Sequence, residues 1–211
     1  MGSAREFWDW FGQNSARYFF LNQIDNEAGR ERLLDEFLEQ LHRYCPKLFF
    51  EIGGAPDETQ DLIISADGNV TYFPDVEALV AAAPPMKNWN VIAFKPATQE
   101  SFAIEYEGVG FDPNEAWFIP LRSASNPGAL GLRIFVEEID KDRKIQLVTA
   151  AYLVLDSLLG EKTNALMIQH VEFAQLDDHT DRTELIRLAE IAKYVRWKQS
   201  KDDIPPDSNF R

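Results

Sequence analysis

The sequence predicts an α+β fold: a largely antiparallel or mixed β-sheet of about six to eight strands, flanked by N-terminal, central and C-terminal helices. Two observations carry this expectation. Between Pro46 and Gly108, four runs of β-branched and aromatic residues (LFFEIGG, DLIISADGN, WNVIAFKP and FAIEYEG) are separated by Gly, Pro, Asn and Asp, as successive strands are. Most of the links between strands are short, which favours antiparallel pairing over a doubly wound sheet. At 211 residues one core is the simplest arrangement, so 1–200 reads as a single domain and 201–211 (KDDIPPDSNFR) as a polar, proline-broken tail.

Taken in order, residues 4–21 place Phe7, Trp8, Phe11, Ser15, Tyr18 and Phe19 at helical spacing, with Trp10 off that stripe. Such a stripe reads as a face docked onto the sheet. A second helix has Asp25 as candidate N-cap and Glu27 in its first turn, with Leu33, Leu34, Phe37, Leu38 and Leu41 inward. Pro46 ends it, and Cys45 at that boundary reads as a structural thiol. Strands are expected at 47–53 and 61–66, followed by a tight turn at Asp67-Gly68-Asn69 and a returning strand at 70–73. A short helix follows with Val76, Leu79, Val80 and Ala83 on one face, stopped by Pro84-Pro85.

Further strands are expected at 89–95, 101–107, 116–122 and 130–137, with a loop at 123–128. In the last strand Leu130, Leu132, Ile134 and Val136 alternate with Arg133, Phe135 and Glu137, so one face is apolar. Residues 143–159 return to helical period, with Ile145, Val148, Tyr152, Leu155 and Leu159 aligned and Gly160 as the stop. Residues 164–173 have strand composition. Asp181–Glu184 reads as a capping-box variant opening a last helix, with Leu185, Leu188, Ile191, Ala192 and Val195 inward.

Composition narrows the function classes. No apolar run reaches the ~20 residues of a bilayer span, and the start of the chain lacks the pattern of a secretory signal. One cysteine leaves no internal disulfide to form, which fits a reducing cytoplasm. The net charge is −14, and the balance is uneven: residues 1–107 hold 8 basic and 18 acidic side chains, the remainder 13 and 17. Phosphate backbones repel such a surface, whereas a basic protein partner is drawn in by it.

Motifs for chemistry are sparse. Phosphate loops of the GxGxxG and GxxxxGK[ST] types and the G-x-S-x-G elbow are absent. The strongest chemical candidate is a metal site. His170 and Glu172 share one strand face, Glu105 and Glu107 share another, and Glu51 lies on the first strand. Were these strands neighbours, an imidazole and carboxylates would converge in a set suited to Zn²⁺ or Mn²⁺. Asp177-Asp178-His179 with Asp181 reads instead as a loop and helix cap. The last helix carries Arg187, Lys193, Arg196, Lys198 and Lys201 with Trp197, which the dipole at a helix C-terminus accounts for. In the segment 108–125, Asp112, Glu115, Trp117 and Arg122 form a candidate partner-binding set, because Trp and Arg are typical contact anchors.

The segments FWDWF, LFFEIGG, DLIISADGN, NWNVIAFKP and FAIEYEG, with AWFIPLRS, LGLRIFV, LDSLLGEK and MIQHVEF later, give the chain a resemblance to a family of uncharacterised bacterial proteins of about this size. The resemblance spans nearly the whole chain and implies no activity and no functional residues. The sequence therefore reads as a cytoplasmic, non-catalytic interaction protein, acidic in the manner of immunity or antagonist proteins of toxins, with no cofactor expected. Two alternatives stand beside it: a metal-assisted hydrolase using His170, Glu172, Glu105 and Glu107, and a small-ligand module with a pocket between helices and sheet.

Overall fold

The computed structural model describes residues 2–24, 26–55, 58–98, 102–122, 129–177 and 180–201, with the side chains of residues 22 and 122 outside that set. The chain is an α+β protein, with six α-helices and nine strands among the described residues. It divides into two compact units, 1–95 and 96–211, where the sequence reading drew one domain over 1–200. Residues 202–211, most of the expected tail, lie outside the described residues, and Lys201 closes the last helix.

The first unit holds α1 (Ala4–Phe19), α2 (Glu27–Tyr44), β1 (Phe49–Gly53), β2 (Gln60–Ser65), α3 (Phe73–Ala81) and β3 (Trp89–Ala93). Its sheet has the order β1-β2-β3, antiparallel between β1 and β2 and parallel between β2 and β3. The parallel pair is joined through α3, as a parallel connection requires. Helix α1 starts with a full capping box: Ser3 Oγ accepts from Glu6 N while Glu6 reaches back to Ser3 N. Asp25 falls outside the described residues. Helix α2 is capped by Asn26, whose side chain accepts from Gly29 N.

The aromatic stripe of α1 is core, as its spacing implies: Phe7, Trp8, Phe11 and Tyr18 are buried. Phe11 meets Trp89 of β3 at 5.1 Å between centroids, and Phe37 of α2 stacks on Phe50 of β1 at 4.0 Å. Trp10 joins the same cluster, edge-on to Phe37 and Tyr18. Of the expected inner face of α2, Phe37 and Leu41 are buried while Leu33, Leu34 and Leu38 are half-buried. Asp67 (φ 50°) and Gly68 (φ 75°) make the expected turn. The strand expected at 70–73 is instead a 3₁₀ turn running into α3. Asn69 accepts from Thr71 N, and Pro74 in the first turn favours a helix start, which together override the β-propensity of Val-Thr-Tyr.

The second unit holds β4 (Ile104–Tyr106), β5 (Val109–Phe111), β6 (Trp117–Arg122), β7 (Leu130–Val136), α4 (Lys144–Leu159), α5 (Glu161–Met167), β8 (Ile168–Gln175), β9 (Ile186–Arg187) and α6 (Ile191–Lys201). β4 and β5 form a two-stranded hairpin, and a separate four-stranded sheet has the order β8-β7-β6-β9. Among the described residues the strands thus occupy three sheets, where the sequence predicts one. The β4–β5 link is the two-residue turn Glu107-Gly108, both at positive φ (49° and 77°), a type I′ geometry.

The alternation read in β7 holds. Leu130, Leu132, Ile134 and Val136 are buried, and Arg133 is exposed. They pack with Leu147, Ala150, Ala151, Val154, Leu155 and Leu158 of α4 and with Leu188, Ile191 and Val195. The inner face of α4 therefore differs from the expected one: Ile145 is 79% exposed and Tyr152 is exposed, while the two alanines face the core. This helix is apolar nearly all round, so periodicity admits more than one stripe, and packing selects the one whose small residues allow close approach.

Two other expectations are corrected here. Residues 164–167, read as strand, are the last part of α5; Gly160 at φ 75° ends α4 and turns the chain straight into a second helix, so β8 begins only at Ile168. Asp181 caps as expected, its Oδ1 accepting from Thr183 N at 2.9 Å, but the turn it opens spans only Arg182–Glu184. The chain then pairs β9 with β6 before α6 begins.

Candidate functional site

The four residues of the predicted metal set do not come together among the described residues. His170 and Glu172 sit on β8, whose ladder partner is β7, whereas Glu105 sits on β4, whose ladder partner is β5 in a different sheet. Glu107 is in the hairpin turn, where its carboxylate accepts from Gln146 Nε2 at 3.3 Å. Arg143 of the residues leading into α4 donates to the carbonyl of Gly108 at 3.1 Å, so the start of that helix anchors the turn.

His170 and Glu172 do meet, Nε2 to Oε2 at 3.5 Å. Glu172 is also engaged by the Arg133 guanidinium, which stands opposite it across the β7–β8 ladder. That hydrogen bond, and then the one with His170, holds the Glu172 carboxyl below its usual range. A carboxylate already neutralised by an arginine is a poor starting point for a cation ligand. No group of three or more His, Cys, Asp or Glu suited to a metal occurs among the described residues. Glu51 lies in the first unit, on β1.

The candidate partner-binding set sits along β6 and the turn before it. Asp112 Oδ1 accepts from Asn114 N at 2.8 Å and from its side-chain amide at 3.0 Å, and Glu115 N donates to Asp112 O at 3.0 Å. Asp112 is thus a turn former. Trp117 opens β6 and lies opposite Arg187 of β9, whose guanidinium sits 4.5 Å from the indole centroid. Arg187 also donates to the carbonyl of Asn114. Glu115 is exposed. Arg122 is the last residue of β6, five positions or roughly 16 Å from Trp117, and its side chain lies outside the described residues. The structure therefore brings Asp112, Glu115 and Trp117 together and sets Arg122 at the far end.

The sequence places Arg187 on a basic last helix, whereas in the structure it belongs to a strand and covers the face of Trp117. Two apolar residues, Leu185 and Ile186, next to it were the available signal for that strand. On α6, Lys193 pairs with Glu190 at 2.6 Å, and Trp197 is 54% exposed beside Tyr194. Of the Asp177–Asp181 cluster, residues 178 and 179 lie outside the described residues.

In the first unit a pocket of ≈ 440 Å³ opens between the start of α1 and the end of α2, lined in part by Glu6, Trp10, Gln40, Arg43 and Tyr44. Its charged groups are already committed. Glu6 serves the capping box, and Arg43 pairs with Glu39 at 2.8 Å. His42 Nε2 lies 3.1 Å from the Leu48 carbonyl, and Cys45 is buried. No helix of the described residues is long and apolar enough to cross a membrane.

Comparison of the chain with protein-family models, with curated proteins and with solved structures gives no match.

Proposed function

We propose that this chain is a non-catalytic protein-interaction module whose acidic surface engages a basic protein partner in the cytoplasm. The observation that carries the reading is where the acidity lies. The chain has 35 acidic against 21 basic side chains, and Glu161 is the one Asp or Glu among the described residues that is buried. The surplus negative charge therefore faces solvent and is available to a partner. A field of that sign speeds encounter with a basic surface and disfavours nucleic acid.

Affinity purification of the tagged full chain from its native host, at native expression level, tests this. The expected result is a stoichiometric basic protein that co-elutes and dissociates as the salt concentration rises. Association with every co-eluting protein that is insensitive to ionic strength would overturn the reading.

A further inference from the structure

The outer edge of β1 has unpaired backbone and mixed exposure, and its geometry can be read residue by residue. Gln60 N donates to Asn88 O at 2.9 Å and Phe94 N to Ile64 O at 2.8 Å. The even-numbered residues of β2 therefore turn their backbone toward β3 and the odd-numbered ones toward β1, since successive residues of a strand alternate sides. The register pairs Phe49 with Ser65, Glu51 with Ile63 and Gly53 with Asp61, so these three residues of β1 hold the ladder. Phe50 and Ile52 are left with N–H and C=O pointing outward, and no backbone hydrogen bond reaches them among the described residues. None of the five residues of β1 is buried.

Several other edge strands carry features that limit pairing. β3 is bounded by Asn88 and Phe94 at positive φ, β8 carries a register shift near its start, and β9 is two residues long. β1 runs five residues in unbroken register, and a positive φ bounds it at one end only, at Gly54. Beside its free backbone stands Glu51, exposed at the middle of the strand. Lys95 approaches Glu51 at 3.5 Å but is shared with Asp67 at 3.2 Å, so the local balance stays negative.

We infer that the outer edge of β1 receives an extended segment of a protein partner as an added strand, with a Lys or Arg of that segment beside Glu51. This rests on the acidic-surface reading above and places the partner on that surface. Charge complementarity selects the occupant. In a second copy paired antiparallel over all five residues, Glu51 would face its own counterpart in a non-hydrogen-bonded pair, where side chains are closest and like charges repel. A basic residue at that place turns the repulsion into attraction. Main-chain hydrogen bonds to Phe50 and Ile52 supply the attachment, as in strand addition generally.

The test uses a fluorescein-labelled peptide of alternating Lys and Val, its analogue with alternate backbone nitrogens methylated, and the full chain, read by fluorescence anisotropy. The unmodified peptide is expected to bind. Methylation of the peptide, Ile52→Pro and Glu51→Lys should each weaken binding about tenfold or more, and Ile52→Ala, which keeps the N–H, should leave it within about threefold. Proline at 52 removes an outward N–H and leaves the β1–β2 ladder intact. Should that variant fail to fold by circular dichroism, the methylated peptide alone decides. Equal binding by both peptides and all variants would reduce the effect to charge, ending this inference and leaving the acidic-surface reading standing. Failure to bind either this peptide or polylysine would contradict both. Dimerisation of the chain that Ile52→Pro abolishes would put a second copy on the edge and overturn the basic occupant.

Discussion

Trp8 donates its indole N–H to the carbonyl of Leu79 at 2.8 Å, a buried hydrogen bond linking α1 to α3 across 71 residues of chain. Tyr44 makes a parallel link from α2, its hydroxyl donating to the carbonyl of Asp75 at 3.2 Å. Both bonds end on α3, so the helix that carries the β2–β3 crossover is held by the two helices that precede the sheet. Trp8→Phe should cost about 1–2 kcal/mol, the net value of a buried hydrogen bond with an under-satisfied carbonyl left behind. Trp8→Ala should cost about 3–5 kcal/mol, because a cavity is added. Urea denaturation of the two variants separates the polar from the packing contribution.

Tyr18 is fully buried, and its hydroxyl has no hydrogen-bond partner among the described residues. Burial, and after it the nearby Glu36 carboxylate, pushes the hydroxyl up to about 12. The unfolded chain loses this proton near 10, so between pH 10 and about 12 the folded state holds more protons than the unfolded one. The contribution to stability is present below pH 10 and is lost as pH rises through that window. Tyr18→Phe should flatten this part of the alkaline stability curve and should be neutral or stabilising at pH 7, since it removes an unsatisfied polar group. Denaturant midpoints measured from neutral to alkaline pH for both proteins check the sign.

The orientation of α4 is testable with two truncations. Leu155→Ala, in the fully buried stripe, should cost about 2–5 kcal/mol. Ile145→Ala, on the exposed side, should stay within about 0.5 kcal/mol. Equal costs would mean that the helix is rotated from the orientation described.

Arg187→Ala removes both the cation over Trp117 and the donor to the Asn114 carbonyl. The expected loss is about 1 kcal/mol of stability, since both contacts are partly exposed. Arg187→Lys should recover little of it, because an ammonium cannot lie flat on the indole while reaching the carbonyl. Thermal melts of the two variants make the comparison.

Much of the fold was legible where local chemistry and tertiary need agree. The α1 stripe, the alternation in β7, the Asp67-Gly68 turn and the stop at Gly160 are each specified by a few neighbouring residues. Errors arose where long-range packing decides. The apolar helix α4 offers several stripes, and only the sheet beneath selects one. Val-Thr-Tyr at 70–72 has strand propensity but lies between a side-chain cap and Pro74. Strand order was invisible, which matters most for the candidate metal residues. Their chemistry is readable, but β4 pairs with β5 in a sheet apart from β8, a fact set by the hairpin turn at Glu107-Gly108. Arg187 was recognised as basic, but its place over Trp117 depends on a two-residue strand with little pattern of its own.

The most direct test of the acidic-surface account is the affinity of the purified chain for the partner it recovers from its host, measured by calorimetry at increasing ionic strength. The account predicts that the partner is basic and that its affinity falls steeply as salt is added, with most of the loss complete once the screening length is a few ångströms. An affinity that stays flat across the same range, or a partner as acidic as this chain, would contradict it.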